Sequence, residues 1–176
     1  MSRAPEKNVN VVLIGFMATG KTAVGRALAK KLKKKYVSTD TLVEKMSGTK
    51  ISTIFKKKGE PYFRSLETSV LKSLKNKKKV VLSCGGGIVI KPVNRSLLRK
   101  LGTVIWLKAS PEKINGRLGQ LKQRPLLNIK GRSQRIKKIK EMLASRKPLY
   151  EKSANIAIDT DTLSIPRVVS KIASML

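Results

Sequence analysis

The chain has 176 residues, 40 of them Lys or Arg and 10 Asp or Glu, with no histidine, for a formal net charge of +30. That length suits one domain of about 150 residues with at most a small insertion, and a hydrophobic share of 40% suffices for one core. With a single cysteine, Cys84, and no histidine, an internal disulfide, structural zinc and His-dependent catalysis are excluded, so a general base has to be a carboxylate, Lys, Tyr or Cys. No apolar run approaches the ~18 residues of a membrane span, and the start MSRAPEKN lacks the charged-then-apolar order of a signal peptide. The expectation is a soluble, cytoplasmic protein with no membrane partner. The charge raises nucleic acid as a partner, because clustered cations neutralise phosphates. The 29 Lys and 11 Arg are spread over the whole chain, however, with short runs at 33–35, 56–58 and 77–79, and the seven aromatics form no platform interleaved with basic residues. A solvated lysine coat that steers anionic small molecules is the preferred reading, with no specific nucleic-acid partner.

Taken in chain order, apolar β-branched runs alternate with helical periodicity. This is the pattern of an α/β fold, here a five-stranded parallel sheet wrapped by helices on both faces. Val9–Ile14 reads as the first strand, followed by a helix with Val24, Leu28 and Leu32 on one face. Lys35–Ser38 is the second strand. After it come two short amphipathic pieces, Thr41–Met46 and Ser52–Lys57, broken by Gly48 and Gly59, and then a helix carrying Phe63, Leu66, Val70 and Leu74. Val80–Ser83 and Thr103–Leu107 are the next strands. Ser110-Pro111-Glu112 opens a helix as cap, first-turn proline and acid at the positive end of the dipole. Ser133 is expected to open another in the same way, before a last strand Asn155–Ile158 and a last helix after Ser164. The whole chain, 1–176, reads as one domain with two additions: residues of about 40–66 as an inserted binding segment, and about 115–132, rich in Gly and basic residues, as a mobile flap.

The first strand runs into Gly15-Phe16-Met17-Ala18-Thr19-Gly20-Lys21-Thr22, a full match to G-x-x-x-x-G-K-[ST], and this opens directly into a helix. Such a loop turns successive backbone N–H groups inward and adds the positive end of the helix dipole, so Ala18 to Ala23 is expected to hold a nucleotide's phosphates. Lys21 supplies a mobile charge to the β and γ phosphates, and the Thr22 hydroxyl is placed to ligate Mg²⁺. Nucleoside triphosphate binding follows. Motors and GTPases usually end a further strand in Asp or carry N-K-x-D. The third strand here ends instead in Ser83-Cys84-Gly85-Gly86-Gly87, which leaves a short kinase.

The order and spacing of further fragments carry a resemblance. These are Tyr36-Val37-Ser38-Thr39-Asp40, Ile54-Phe55-x-x-x-Gly59-Glu60-x-x-Phe63-Arg64-x-x-Glu67, Gly85-Gly86-Gly87, Arg124-Pro125-Leu126-Leu127, Arg146-x-Pro148-Leu149-Tyr150 and Ile158-Asp159-Thr160. Together with the phosphate loop they resemble the shikimate kinase family from about residue 9 to the C-terminus. The resemblance implies a P-loop kinase fold with a substrate-binding insertion and a lid, ATP and Mg²⁺ as partners of the reaction, and transfer of phosphate to the 3-hydroxyl of shikimate on the route to chorismate. It further implies Arg64 and Arg146 as a clamp for the substrate carboxylate, Gly85, Gly86 and Gly87 as a bare backbone surface against the substrate, and Asp40 on its hydroxyls. Arg117 would stack on adenine, and Arg124 would join Lys21 and Mg²⁺ around the transferring phosphoryl.

The residues suit these tasks. A guanidinium fork matches a carboxylate, and Glu67, three residues after Arg64, can hold that fork in place. Taken alone, the Arg64/Glu67 pair also reads as a surface ion pair, and Asp40 also reads as a helix N-cap. Two positions depart from the family pattern: Ser38 stands where an acid is common, and Asp161-Thr162-Leu163 lacks an arginine that some members place against adenine. The competing readings are a kinase for gluconate or a nucleoside monophosphate, and a basic nucleic-acid-binding protein. A monomer is expected.

Overall fold

The computed structural model describes residues 9–118, 127 and 131–176. Five strands, β1 (Val11–Ile14), β2 (Lys35–Ser38), β3 (Val80–Ser83), β4 (Thr103–Lys108) and β5 (Ile156–Asp159), form one sheet in the order β2-β3-β1-β4-β5, all pairs parallel. The five expected strands are all present, with ends moved by one or two residues. Asn10 explains the first shift. Its side chain bridges Lys77 O, Leu101 O and Val80 N, so the ladder starts only at Val11. Asn155 likewise stays outside β5 and caps β4, its Oδ1 accepting from Val104 N at 2.8 Å.

Side chains alternate across the sheet and bury two separate faces. Val11, Leu13, Val81, Ile105 and Ile158 pack under α1 (Lys21–Lys31) and α7 (Ile165–Met175), on Val24, Leu28, Val168 and Ile172. Val12, Ile14, Leu82, Val104 and Trp106 pack under α3 (Ile51–Ser73), α4 (Pro92–Leu101) and α6 (Arg132–Ser153), on Val70, Leu71, Leu98 and Tyr150. This double wrapping places every strand's carboxyl end on one edge, where open α/β sheets bind ligands.

Between β2 and β3 lie α2 (Thr39–Ser47) and α3. Gly48 closes α2 in the left-handed region (φ 68°), and Gly59 (φ 77°, ψ 174°) breaks α3 into two pieces, the interruptions read from the sequence. On the far side α5 (Pro111–Arg117) starts at Ser110, whose Oγ accepts from Lys113 N, as expected. Two expectations need correction. The cap of α6 is Gly131 rather than Ser133, which lies inside the helix; the glycine takes φ 94°, a turn serine does not favour. Helix α4 went unread because its buried face is Asn94, Leu98 and Leu101, with an amide where a helical pattern would show an apolar residue, and its cap position is Lys91. Most of the basic segment between α5 and α6, including Gly119, Lys122, Arg124, Pro125 and Lys130, lies outside the described residues. Leu127 is described: it is buried against Phe16, Ile114 and Ile139.

Candidate active site

The turn from β1 into α1 bends through left-handed backbone: Gly20 at φ 92° and, although not glycine, Ala18 at φ 60°. A Cβ on Gly15 (φ 142°) would collide with Leu107 O, so the loop clears the end of β4 only with glycine there. Thr19 is buried and its Oγ1 donates to Phe16 O at 2.8 Å. Lys21, also buried, donates from Nζ to Gly15 O (2.9 Å) and Phe16 O (2.6 Å), which keeps the ammonium inside the bowl of the loop. Thr22 and Ala23 follow in the first turn of α1, exposed to the cleft. Gly20 caps that helix with no side chain, so its N-terminal end, with the positive end of the dipole, is presented to an anion.

Ala18, Gly20, Lys21, Thr22, Ala23, Asp40, Gly85, Gly86 and Arg117, all singled out from sequence, line one cavity of about 350 Å³ together with Met17, Ser38, Ser83 and Cys84. Asp40 sits exposed in the first turn of α2, where the helix dipole favours negative charge. The capping role belongs to Ser38, whose Oγ accepts from Thr41 N at 3.3 Å. Buried Thr39 ties this turn to the glycine loop, accepting from Gly85 N at 2.9 Å. A Cβ on Gly85 would stand 2.6 Å from Asp40 Oδ1 and 2.9 Å from Glu67 Oε1, so both carboxylates reach to the bare backbone there.

Arg64 is 6% exposed, not on the surface. Its Nη1 meets Glu67 Oε2 at 2.6 Å, and its Nε and Nη2 both meet Glu60 Oε1, at 3.1 and 2.8 Å. The guanidinium lies so close on Gly87 that any Cβ there would overlap it. Glu67 is fully buried, and burial pushes its carboxyl up to about 7 against the opposing pull of Arg64. Its second oxygen, Oε1, has no hydrogen-bond partner among the described residues. Arg146, on α6, stacks over the Phe16 ring at 5.5 Å, and its charge acts on the Tyr150 phenol against the effect of burial. Tyr150 OH donates in turn to Gly86 O at 2.5 Å, and its ring stacks on Trp106. Burial pushes both the Tyr150 phenol and the Cys84 thiol up, so both stay protonated at neutral pH. Of the two carboxylates facing Gly85, Asp40 is exposed to the cleft and Glu67 is buried.

The phosphate loop thus opens on the described cavity, while Arg64 and Arg146, each buried, do not line it. The family model described as Shikimate kinase matches residues 17–176. A shikimate kinase of Thermodesulfovibrio yellowstonii is 45% identical over 163 residues, 93% of this chain and 92% of the relative. One of Dehalococcoides mccartyi is 42% identical over 167 residues, 95% and 93% of the two chains. The structure of the Acinetobacter baumannii shikimate kinase in complex with shikimate superposes with a TM-score of 0.89 at 35% identity, covering 95% of this chain and 92% of that one. The chain belongs to the shikimate kinase family.

Among shikimate kinases, the reading of this chain gains several details from its geometry. Arg117 is held across the cleft mouth by Thr160, its Nη2 donating to the carbonyl at 2.7 Å and its Nη1 to Oγ1 at 3.1 Å. The departure at Asp161 is occupied by a structural bond, its carboxylate accepting from Ser110 N at 3.0 Å and so closing the β5 loop onto α5. The departure at Ser38 serves as the α2 cap. Arg124 lies outside the described residues. Sequence reasoning passed over Thr39, Tyr150 and Asn94. Asn94, fully buried, donates to Ile88 O at 3.0 Å and accepts from Thr68 Oγ1 at 2.8 Å, fixing the segment after the three glycines to α3. A tyrosine closing Arg146-x-Pro148-Leu149-Tyr150 and a threonine beside Asp40 were the available signals, but which carbonyl or amide each would meet is a tertiary fact.

Proposed function

We propose that this cleft transfers the γ-phosphoryl of ATP to the 3-hydroxyl of shikimate, with Lys21, Asp40, Arg64, Gly85–Gly87, Arg117, Arg124 and Arg146 in the roles given below. The observation that carries the reading is the approach of Asp40 and of Glu67, the buried partner of Arg64, to Gly85, which with Asp40 lines the same cavity as the phosphate loop; Arg64, Gly87 and Arg146 lie behind that lining. The Arg64 and Arg146 guanidiniums suit the carboxylate of a small acid; Arg64 is held by Glu60 and Glu67 and Arg146 rests over the Phe16 ring, so they need little reorganisation to receive it. Gly85 and Gly86 leave room for the ring. Asp40 orients the attacking hydroxyl and takes its proton late in the transfer, while Glu67 Oε1 offers a second acceptor beside it.

On the nucleotide side, the loop amides and Lys21 bind the β and γ phosphates, Arg117 lies at the purine end, and Arg124 from the lid completes the charge around the phosphoryl. Thr22, with Ser38, Ser83 and Asp40 on the same cavity, forms a set of hard oxygen donors that fits Mg²⁺ bound chiefly through phosphates and water. When bound, Mg²⁺ would supply charge neutralisation at the phosphates.

The whole chain would act as one kinase domain, with about 40–66 as the acceptor-binding segment and about 115–132 as the lid. It would work as a cytoplasmic monomer on a small-molecule substrate, with no specific nucleic-acid partner and no membrane partner. Among the described residues no helix is long and apolar enough to cross a membrane. A coupled ADP-release assay with Mg-ATP tests the reading against shikimate, gluconate and a nucleoside monophosphate. Turnover with shikimate alone is expected; turnover only with another acceptor overturns it.

A further inference from the structure

The edge of the sheet opposite the cleft carries an exposed band of cations. Strands β2 and β3 start there side by side, with Lys35 opposite Val80 and Lys35 N–H donating to Lys79 O at 2.9 Å. This brings together the lysine runs 33–35 and 77–79, which are far apart in sequence. Asn10 joins the next turns to them, its Nδ2 donating to Lys77 O at 2.7 Å and Leu101 O at 2.9 Å, so the end of α4 with Arg99 and Lys100 stands on the same edge. Residues 30–35, 74–79 and 99–103 contain no Asp or Glu. Lys33, Lys35, Lys77 and Lys78 are exposed, and among the described residues none of them is in an ion pair.

Helix ends explain only part of this. α1, α3 and α4 all finish at this edge, and each C-terminus presents roughly half a negative charge. The lysines of the two runs alone exceed what three such ends can balance. Backbone geometry adds a separate observation. Lys33 and Lys79 occupy the left-handed region, at φ 52° and 57°, one in each turn, where glycine would be the less strained residue. Both turns hold a cation in spite of that strain.

We propose that this edge is a sequence-indifferent docking surface for the phosphate backbone of nucleic acid, and that it leaves the cleft on the other side free for turnover. The chemistry suits a polyanion held by charge alone. Lysines are mobile point charges that attract backbone phosphates without fixed bidentate geometry, as contact irrespective of sequence requires, and Arg99 is the one arginine within these segments. The two lysine turns enter adjacent strands, β2 and β3, about 4.8 Å apart, so their cations form one cluster against which a flexible phosphodiester chain can lie. None of the large exposed apolar residues, Met46, Tyr62, Val93, Ile165 and Met175, falls within these segments, so they offer neither an aromatic to stack on bases nor an apolar anchor for a bilayer.

The test is fluorescence anisotropy of a labelled single-stranded RNA of about 20 nucleotides, titrated with the full chain between about 50 and 200 mM salt. The quadruple variant Lys33→Gln, Lys35→Gln, Lys77→Gln, Lys78→Gln is compared with an equally neutralised one, Lys45→Gln, Lys56→Gln, Lys57→Gln, Lys113→Gln. Each lost phosphate contact flattens the slope of log K against log salt by about 0.7, so the edge variant should lose about 3 and the other variant less than about 1. Equal losses in the two variants overturn the proposal, as does displacement of the RNA by polyglutamate at the same charge concentration. A second measurement needs no variant: saturating RNA should leave the ADP-release rate of the native protein unchanged. Inhibition competitive with ATP would place the RNA at the phosphate loop and also overturn the proposal. Loss of all turnover with every acceptor would count against the kinase reading and leave the anisotropy result standing.

Discussion

Around the phosphate loop the groups that face the cleft are consecutive in sequence and largely main chain, whereas the acceptor side is assembled from side chains on α2, α3, the loop after β3 and α6. Lys21 is held by carbonyls of its own loop, Gly15 O and Phe16 O. Arg64 is held by carboxylates of its own helix, but the Gly87 it covers and the Arg146 it is expected to work with come from elsewhere in the chain. A loop that binds through its backbone tolerates side-chain change, and a pocket of interlocked charges does not. The two halves should therefore fail separately.

Substitution on the acceptor side should show this at graded sizes. Asp40→Asn keeps the shape but removes the base, and kcat should fall by about 10² to 10⁴ in the ADP-release assay. Arg146→Lys replaces a fork by a point charge. A rise in the shikimate KM of about 10- to 100-fold is expected, with the ATP KM little changed; matched rises in both would blur the division between the halves. Gly85→Ala pushes a methyl against Asp40 and Glu67, and about a tenfold loss of kcat/KM for shikimate should result. Tyr150→Phe removes the hydroxyl between Arg146 and Gly86 O while keeping the stack on Trp106. A rise of several-fold, up to about tenfold, in the shikimate KM is expected, and an effect confined to the ATP KM would contradict the placement.

The smallest effect is on stability. Burial holds the Glu67 carboxyl up at about 7 against an ordinary 4.5, so between those values the folded state keeps a proton that the unfolded chain has released. Stability from this group is full below about 4.5 and declines as pH rises toward 7. Melting temperature followed by circular dichroism should fall across that window, and the fall should be shallower in Glu67→Gln, by a few degrees at the upper end at roughly 2–4 °C per kcal/mol. An identical profile in the variant would remove Glu67 as its source.

The same contrast decided what was legible in the sequence. Strands, the phosphate loop and the helices with apolar stripes are local patterns, and each stands within a residue or two of its expected place. Helix α4 escaped because Asn94 turns an amide inward, where it serves Ile88 O and Thr68 rather than a hydrophobic face. Arg64 and Arg146 were marked as substrate residues through family resemblance, since an Arg–Glu pair three apart taken alone also reads as a surface bridge. Arg64 is buried against Gly87 and Glu67, and Arg146 is buried on α6 over the Phe16 ring. Tyr150 and Thr39 were invisible as site residues because their partners, Gly86 O and Gly85 N, are main-chain atoms some 64 and 46 residues away. The +30 charge, undivided in the sequence, separates in three dimensions. Among the described residues, Lys21 and Arg117 in the cleft are bonded, whereas Lys33, Lys35, Lys77 and Lys78 at the opposite edge are exposed and in no ion pair.

The account rests on two halves that bind independently and act together, and the ATP dissociation constant of Asp40→Asn, measured by titration calorimetry beside the native protein, tests it most directly. An unchanged ATP affinity with shikimate-dependent ADP release reduced by about 10² or more is the predicted result. A loss of ATP affinity that parallels the loss of turnover would contradict it.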